Sequence, residues 1–140
     1  MADVVYDSYL TAQVTGGVDL DTDTLIVMLL KDTYTVDRGH DFIADVVAHE
    51  ITGTGYSRQT LATVVVTISG NVAIMDADDP QWTGASGWDS ARYGILAKST
   101  GNDATSRLIK MIDLGANRQP TAGTFDLAWN ANGVMRFTQS

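Results

Sequence analysis

Thr60-Leu61-Ala62-Thr63-Val64-Val65-Val66-Thr67-Ile68-Ser69-Gly70-Asn71-Val72-Ala73-Ile74-Met75 decides the fold class. Its first part is dense in β-branched side chains, which crowd the turns of a helix and fit a pleated strand. Gly70-Asn71 is a two-residue turn of hairpin type, and Val72 to Met75 can return antiparallel. Asp76-Ala77-Asp78-Asp79-Pro80 then stops the strand with turn formers and a proline.

Outward from this hairpin the pattern continues on both sides. Towards the N-terminus, Gly53-Thr54-Gly55-Tyr56 is a turn, because paired glycines adopt backbone angles that other residues resist. Asp41 to Ile51 spaces Phe42, Val46, Val47 and Ile51 as one short helix, expected to lie across the sheet as a lid. Thr24 to Lys31 is a nearly unbroken apolar run of strand length, expected where both faces of a strand are covered. Near the start, Tyr6, Tyr9, Leu10, Gln13 and Val14 fall on one face of a short helix that ends before Gly16-Gly17, although Thr11, Val14 and Thr15 favour a strand locally.

Towards the C-terminus, Ala91 to Lys98 and Leu108 to Leu114 form a second pair of strands around the loop Ser99 to Asp103. Thr124 to Trp129 alternates, with Phe125, Leu127 and Trp129 on one face. Asn130-Ala131-Asn132-Gly133 is the last turn, and Val134 to Thr138 is the last strand. Short strands with turn signals at this spacing predict a mainly β chain, an antiparallel β-sandwich with one or two short helices. The 140 residues fit one domain, 1–140, without an internal repeat or a low-complexity tail.

Composition narrows the function classes. The chain has no cysteine, which excludes disulfides and thiolate metal sites. Its longest apolar runs, Leu25 to Leu30 and Leu61 to Ile68, fall well short of the ~20 residues that cross a bilayer. No basic leader is visible, so a soluble protein without membrane contact is expected. A formal charge of −8 repels a phosphate backbone, and the nine basic residues are scattered singly, so nucleic acid is not an expected partner.

Residues that could carry chemistry each have a plainer reading. Asp19, Asp21 and Asp23 begin like a calcium loop, but the glycine and glutamate it needs are replaced by Thr24 and Leu30; a polar turn is expected. Asp76, Asp78 and Asp79 read as a solvated turn. His40 and His49, nine residues apart, lack the one-turn spacing of a zinc protease and read as surface residues. Gly84-Ala85-Ser86-Gly87 and Gly53-Thr54-Gly55 lack the lysine of a phosphate loop, and no serine sits in Gly-x-Ser-x-Gly. No catalytic residue, cofactor or metal is expected. Trp129 reads as core. Trp82 and Trp88 flank a glycine-rich loop and are candidate interface anchors, or a platform for carbohydrate, with burial against the domain's own sheet the favoured alternative.

The blocks Gly17-Val18-Asp19-Leu20-Asp21-Thr22-Asp23-Thr24-Leu25-Ile26-Val27-Met28-Leu29, Tyr34 to Asp37, Glu50 to Tyr56 and Asp76 to Trp82 resemble a family of small virion proteins of tailed bacteriophages. The resemblance resumes at Ala91 to Gly94, at Leu108-Ile109, at Ile112 to Gly115, and at Phe125-Asp126-Leu127 with Trp129-Asn130 before Gly133. It implies a structural protein, read as a head decoration or cement protein, with no catalytic residues to carry over. The implied partner is the major capsid protein, with assembly as a homo-oligomer, for instance a trimer. The implied location is the capsid exterior, after synthesis in the bacterial host cytoplasm. A tail, neck or fibre component is the alternative role.

Overall fold

The computed structural model describes residues 2–138. In chain order the elements are β1 (Val4–Val5), α1 (Asp7–Thr15), β2 (Leu25–Lys31), two single 3-10 turns (Ile43–Asp45 and Val47–His49), β3 (Gln59–Thr60) and β4 (Val65–Ser69). They continue with β5 (Val72–Asp76), β6 (Gln81–Ser86), β7 (Ala91–Lys98), β8 (Leu108–Arg118), β9 (Ala122–Asp126) and β10 (Met135–Thr138). The fold is mainly β, antiparallel and sandwich-like, with one α-helix. A five-stranded sheet of order β1-β8-β7-β2-β3 is accompanied by a three-stranded sheet β10-β5-β4 and the ribbon β6-β9.

The apolar run in β2 works because both its faces are covered. Leu25, Val27 and Leu29 point into one core with Leu96, Ile109, Trp82, Trp88, Phe125 and Met75, formed where the two smaller sheets pack on the large one. Ile26, Met28 and Leu30 point into a second core with Tyr34, Ile43, Val46, Ile95 and Met111. Alternation along one strand thus feeds two cores at once.

The hairpin forms as its residues dictate. Ser69 pairs with Val72 across Gly70-Asn71, and Gly70 at φ +61° supplies the positive angle that the first position of a type II′ turn needs. At the root of β4, Thr63 holds φ 56°, rare for a β-branched residue, and its Oγ1 donates to Asp78 Oδ2 at 2.7 Å.

Several expectations are corrected. The glycine-rich stretch between Trp82 and Trp88, read as a loop, is strand β6 as far as Ser86, where Ala85 and Ser86 pair with Gly123 and Ala122 past an irregularity at Gly84. The Asp41 to Ile51 lid does lie over a face of the sheet, but as two 3-10 turns instead of one helix. Asp45 turns back to accept the N–H groups of Asp41 and Phe42 at 3.0 and 2.9 Å, which closes the first turn tightly. Three-residue spacing then buries Ile43 and Val46 and leaves Phe42 at the margin, under the Arg107 guanidinium. The N-terminal segment is a helix, closed by Gly16 at φ +77° with the Gly17 N–H on Ala12 O at 2.8 Å. Its inward face, however, is Tyr9 and Ala12, while Leu10 and Val14 are 53% and 86% exposed. Burying Tyr6 and Tyr9 removes more apolar area than Leu10 and Val14 could, and it sets the rotation of the helix.

Candidate functional site

The two histidines, nine residues apart, meet around Tyr34. The Tyr34 hydroxyl lies 3.0 Å from His40 Nδ1 and 3.1 Å from the Tyr6 hydroxyl, and its ring stands 5.7 Å from the His40 ring and 5.6 Å from that of His49. His49 Nδ1 is in turn 3.0 Å from Thr33 Oγ1. With Asp37 and Asp45 they line a shallow concavity of about 300 Å³. Burial pushes the Tyr6 hydroxyl well above the usual phenol range, and Tyr34 moves the same way for the same reason. Backbone N–H groups of Phe42 and Asp41 hold Asp45 below the usual carboxylate range. Among the described residues no three His, Asp or Glu side chains are placed to hold a metal ion. The sequence marked both histidines but not their convergence, which Tyr34 brings about.

Trp82 and Trp88 lie inside the domain, each 1% exposed. Their indole N–H groups donate to Ser57 O at 2.6 Å and Thr54 O at 2.7 Å, so the stretch from Gly53 to Ser57 supplies the acceptors that make their burial possible. The two rings meet edge-on at 6.2 Å, and Phe125 sits 5.6 Å from each. Neither indole offers a face to a partner protein or to a sugar. Trp129 is only partly buried at the rim of the same core, where its indole N–H donates to Asp78 O at 3.0 Å.

The acidic turns close on themselves. Asp19 Oδ1 accepts the N–H groups of Asp21 and Thr22, and Asp23 Oδ2 accepts the Asp19 N–H at 2.7 Å while pairing with Lys98 at 3.0 Å. The Asp19 N–H and Lys98 together lower the Asp23 pKa. In the second cluster Asp76 accepts the Ala77 N–H, Asp78 the Thr63 hydroxyl and Asp79 the Trp129 N–H.

A junction that the sequence did not reveal ties three loops together. Arg58 donates to Glu50 through Nε and Nη2 at 2.9 and 2.8 Å, and to Asp103 through Nη1 and Nη2 at 2.7 and 3.2 Å. Tyr56 adds its hydroxyl to Glu50 at 2.8 Å and accepts the Leu29 N–H at 3.1 Å. The Arg58 guanidinium holds Asp103 below the usual carboxylate range, and both carboxylates raise Arg58. Partners eight and forty-five residues away in sequence leave no local pattern to read.

Besides Leu10 and Val14 of α1, the outer strand of the hairpin is open. Every residue of β4 is exposed, and Val65, Val66 and Ile68 stand at 48%, 46% and 78%. Beneath the hairpin runs a groove of about 570 Å³ lined by Val18, Leu20, Val66, Ala73, Met75 and Phe137, with Asp19 and Asp21 also on its wall. Comparison with protein-family models, curated proteins and solved structures finds no match to this chain.

Proposed function

We propose that the protein is a non-catalytic structural part of a tailed-phage particle, a decoration protein that binds the outside of the head shell through the major capsid protein and stabilises it. The observation that carries the reading is the contrast between the two kinds of surface. The histidine, aspartate and arginine side chains that chemistry would draw on are engaged in holding turns and loops. Apolar surface is left open on the β4–β5 hairpin of the three-stranded sheet, and at Leu10 and Val14 of α1, while the five-stranded sheet is covered on both faces. That division suits a rigid body that works by adhesion.

Charge favours the exterior. A chain of formal charge −8 is repelled by packaged DNA and finds no such penalty on the outer shell. Contacts of roughly 1,200–2,000 Å², repeated by the symmetry of the shell, resist internal pressure without any single strong bond.

The test is to heat particles assembled with and without the protein and follow DNA release. Earlier release from the particles that lack it is expected, and equal release overturns the stabilising role. Copy number separates the alternative location: on the order of hundreds per particle fits a shell, whereas about a dozen or fewer assigns the protein to the tail or neck.

A further inference from the structure

We propose that the outer edge of β4 takes up an extended segment of a partner protein as an added strand, and that this segment alternates apolar residues and carries lysine or arginine. The inference rests on reading the hairpin as an adhesion surface and names its occupant.

The register defines which groups are free. Ser69 and Val72 close a two-residue turn and therefore form a hydrogen-bonded pair, which makes Thr67–Ile74 and Val65–Asp76 the next such pairs. The backbone N–H and C=O groups of Val66 and Ile68 consequently point away from β5. β4 is the last strand of its sheet, with no strand beyond it among the described residues.

This edge lacks the devices that guard the others. β1 and β3 have two residues each, and β6 is interrupted between Trp82 and Ala85, with Gly84 at φ +67°. β9 contains Gly123 and Asp126, and β10 contains Arg136. Val65-Val66-Thr67-Ile68-Ser69 has no charge, glycine, proline or bulge, a combination that invites strand addition.

The occupant follows from the surroundings. Val66 and Ile68 share their sheet face with Ala73, Met75 and Phe137, so alternate side chains of an added strand would lie over the groove of about 570 Å³. Asp19 and Asp21 stand on the wall of the groove that Val66 also lines, and Asp76 stands opposite the neighbouring Val65. A second copy of the chain would bring the same carboxylates and another formal −8 to this edge. A segment carrying basic side chains meets these carboxylates, while its backbone supplies the hydrogen bonds.

The test titrates the full chain with a synthetic peptide of alternating valine and threonine with a lysine at each end. A twin with glutamate at each end serves as the comparison, and both are followed by amide NMR. Saturable binding is expected, with shifts centred on Val66, Ile68 and Phe137, about tenfold weaker for the glutamate twin. Ile68→Lys should abolish it at unchanged melting temperature. No binding, equal binding of the twins, or shifts centred elsewhere overturns the proposal. Concentration-dependent dimerisation that Ile68→Lys removes would give the edge to a second copy and likewise overturns it. Head attachment is measured separately: retained attachment without peptide binding moves the docking surface elsewhere, and peptide binding without head attachment removes the particle reading alone.

Discussion

Gly53 lies directly against Trp88: a β-carbon at residue 53 would fall 2.4 Å from the indole Cδ1 and 2.7 Å from the Trp88 Cα. One of those atoms is backbone, so side-chain rotation cannot relieve the clash. Gly53→Ala is expected to cost about 2–3 kcal/mol in chemical denaturation. Gly70→Ala, with open space around it and only its positive φ to oppose the change, should cost about 1 kcal/mol. Equal losses at the two sites would mean that the contact yields freely.

Trp82→Ala and Trp88→Ala should each lose about 3–5 kcal/mol, because each empties a large volume and orphans a carbonyl that the indole now satisfies. Denaturant midpoints with an unchanged m-value would measure this. A loss under about 1 kcal/mol is what an exposed anchor would give instead.

Arg58→Ala should cost about 2 kcal/mol by stripping Glu50 and Asp103 of a shared, forked partner. Arg58→Lys is expected to recover only part of it, since an ammonium cannot reach both carboxylates in the same two-pronged geometry. Full recovery by lysine would show that charge alone matters at the junction.

Acid should loosen the fold through Asp113, whose carboxyl is lowered to about 2 by the Gly115 N–H and the Arg92 guanidinium. A folded pKa below the unfolded one stabilises above the unfolded value and is lost as pH falls, here between about pH 4 and pH 2. Asp113→Asn should flatten the pH dependence of the melting temperature in that window. At the alkaline end the sign reverses: burial raises Tyr9 to about 12 and lifts Tyr6 and Tyr56 as well, so stability should fall as pH rises beyond about 10.

Leu10→Glu and Val14→Lys should each change stability by no more than about 0.5 kcal/mol, because both side chains already face solvent. Thermal melts would expose a larger loss, and with it a hidden partner for that helix face.

Strand formation was legible in short stretches of the chain. The β-branched run into Gly70-Asn71, the unbroken apolar β2 and the alternation around Phe125 each carry a local steric or periodic cause; β2 stands where its cause puts it, whereas the β-branched run is broken between Thr60 and Val65 and the strand at Phe125 is Ala122–Asp126, ending before Leu127. The helix before Gly16 was legible too, but its rotation was not, because periodicity cannot weigh Tyr9 against Leu10 without knowing what the helix lies on. For Asp41 to Ile51 the apolar spacing pointed to one helix, and the Asp45 carboxylate closes a 3-10 turn there instead by capping two N–H groups.

What the residues settled alone was the class of structure, a cysteine-free acidic β-domain, since strand preference, turn chemistry and net charge act over a few neighbours or none. Only the tertiary structure decided that Trp82 and Trp88 are sealed in, that His40 and His49 share Tyr34, and that β4 stands uncovered. Each depends on which distant segment comes to lie alongside. That is set by the packing of whole sheets, to which no single stretch of sequence has access.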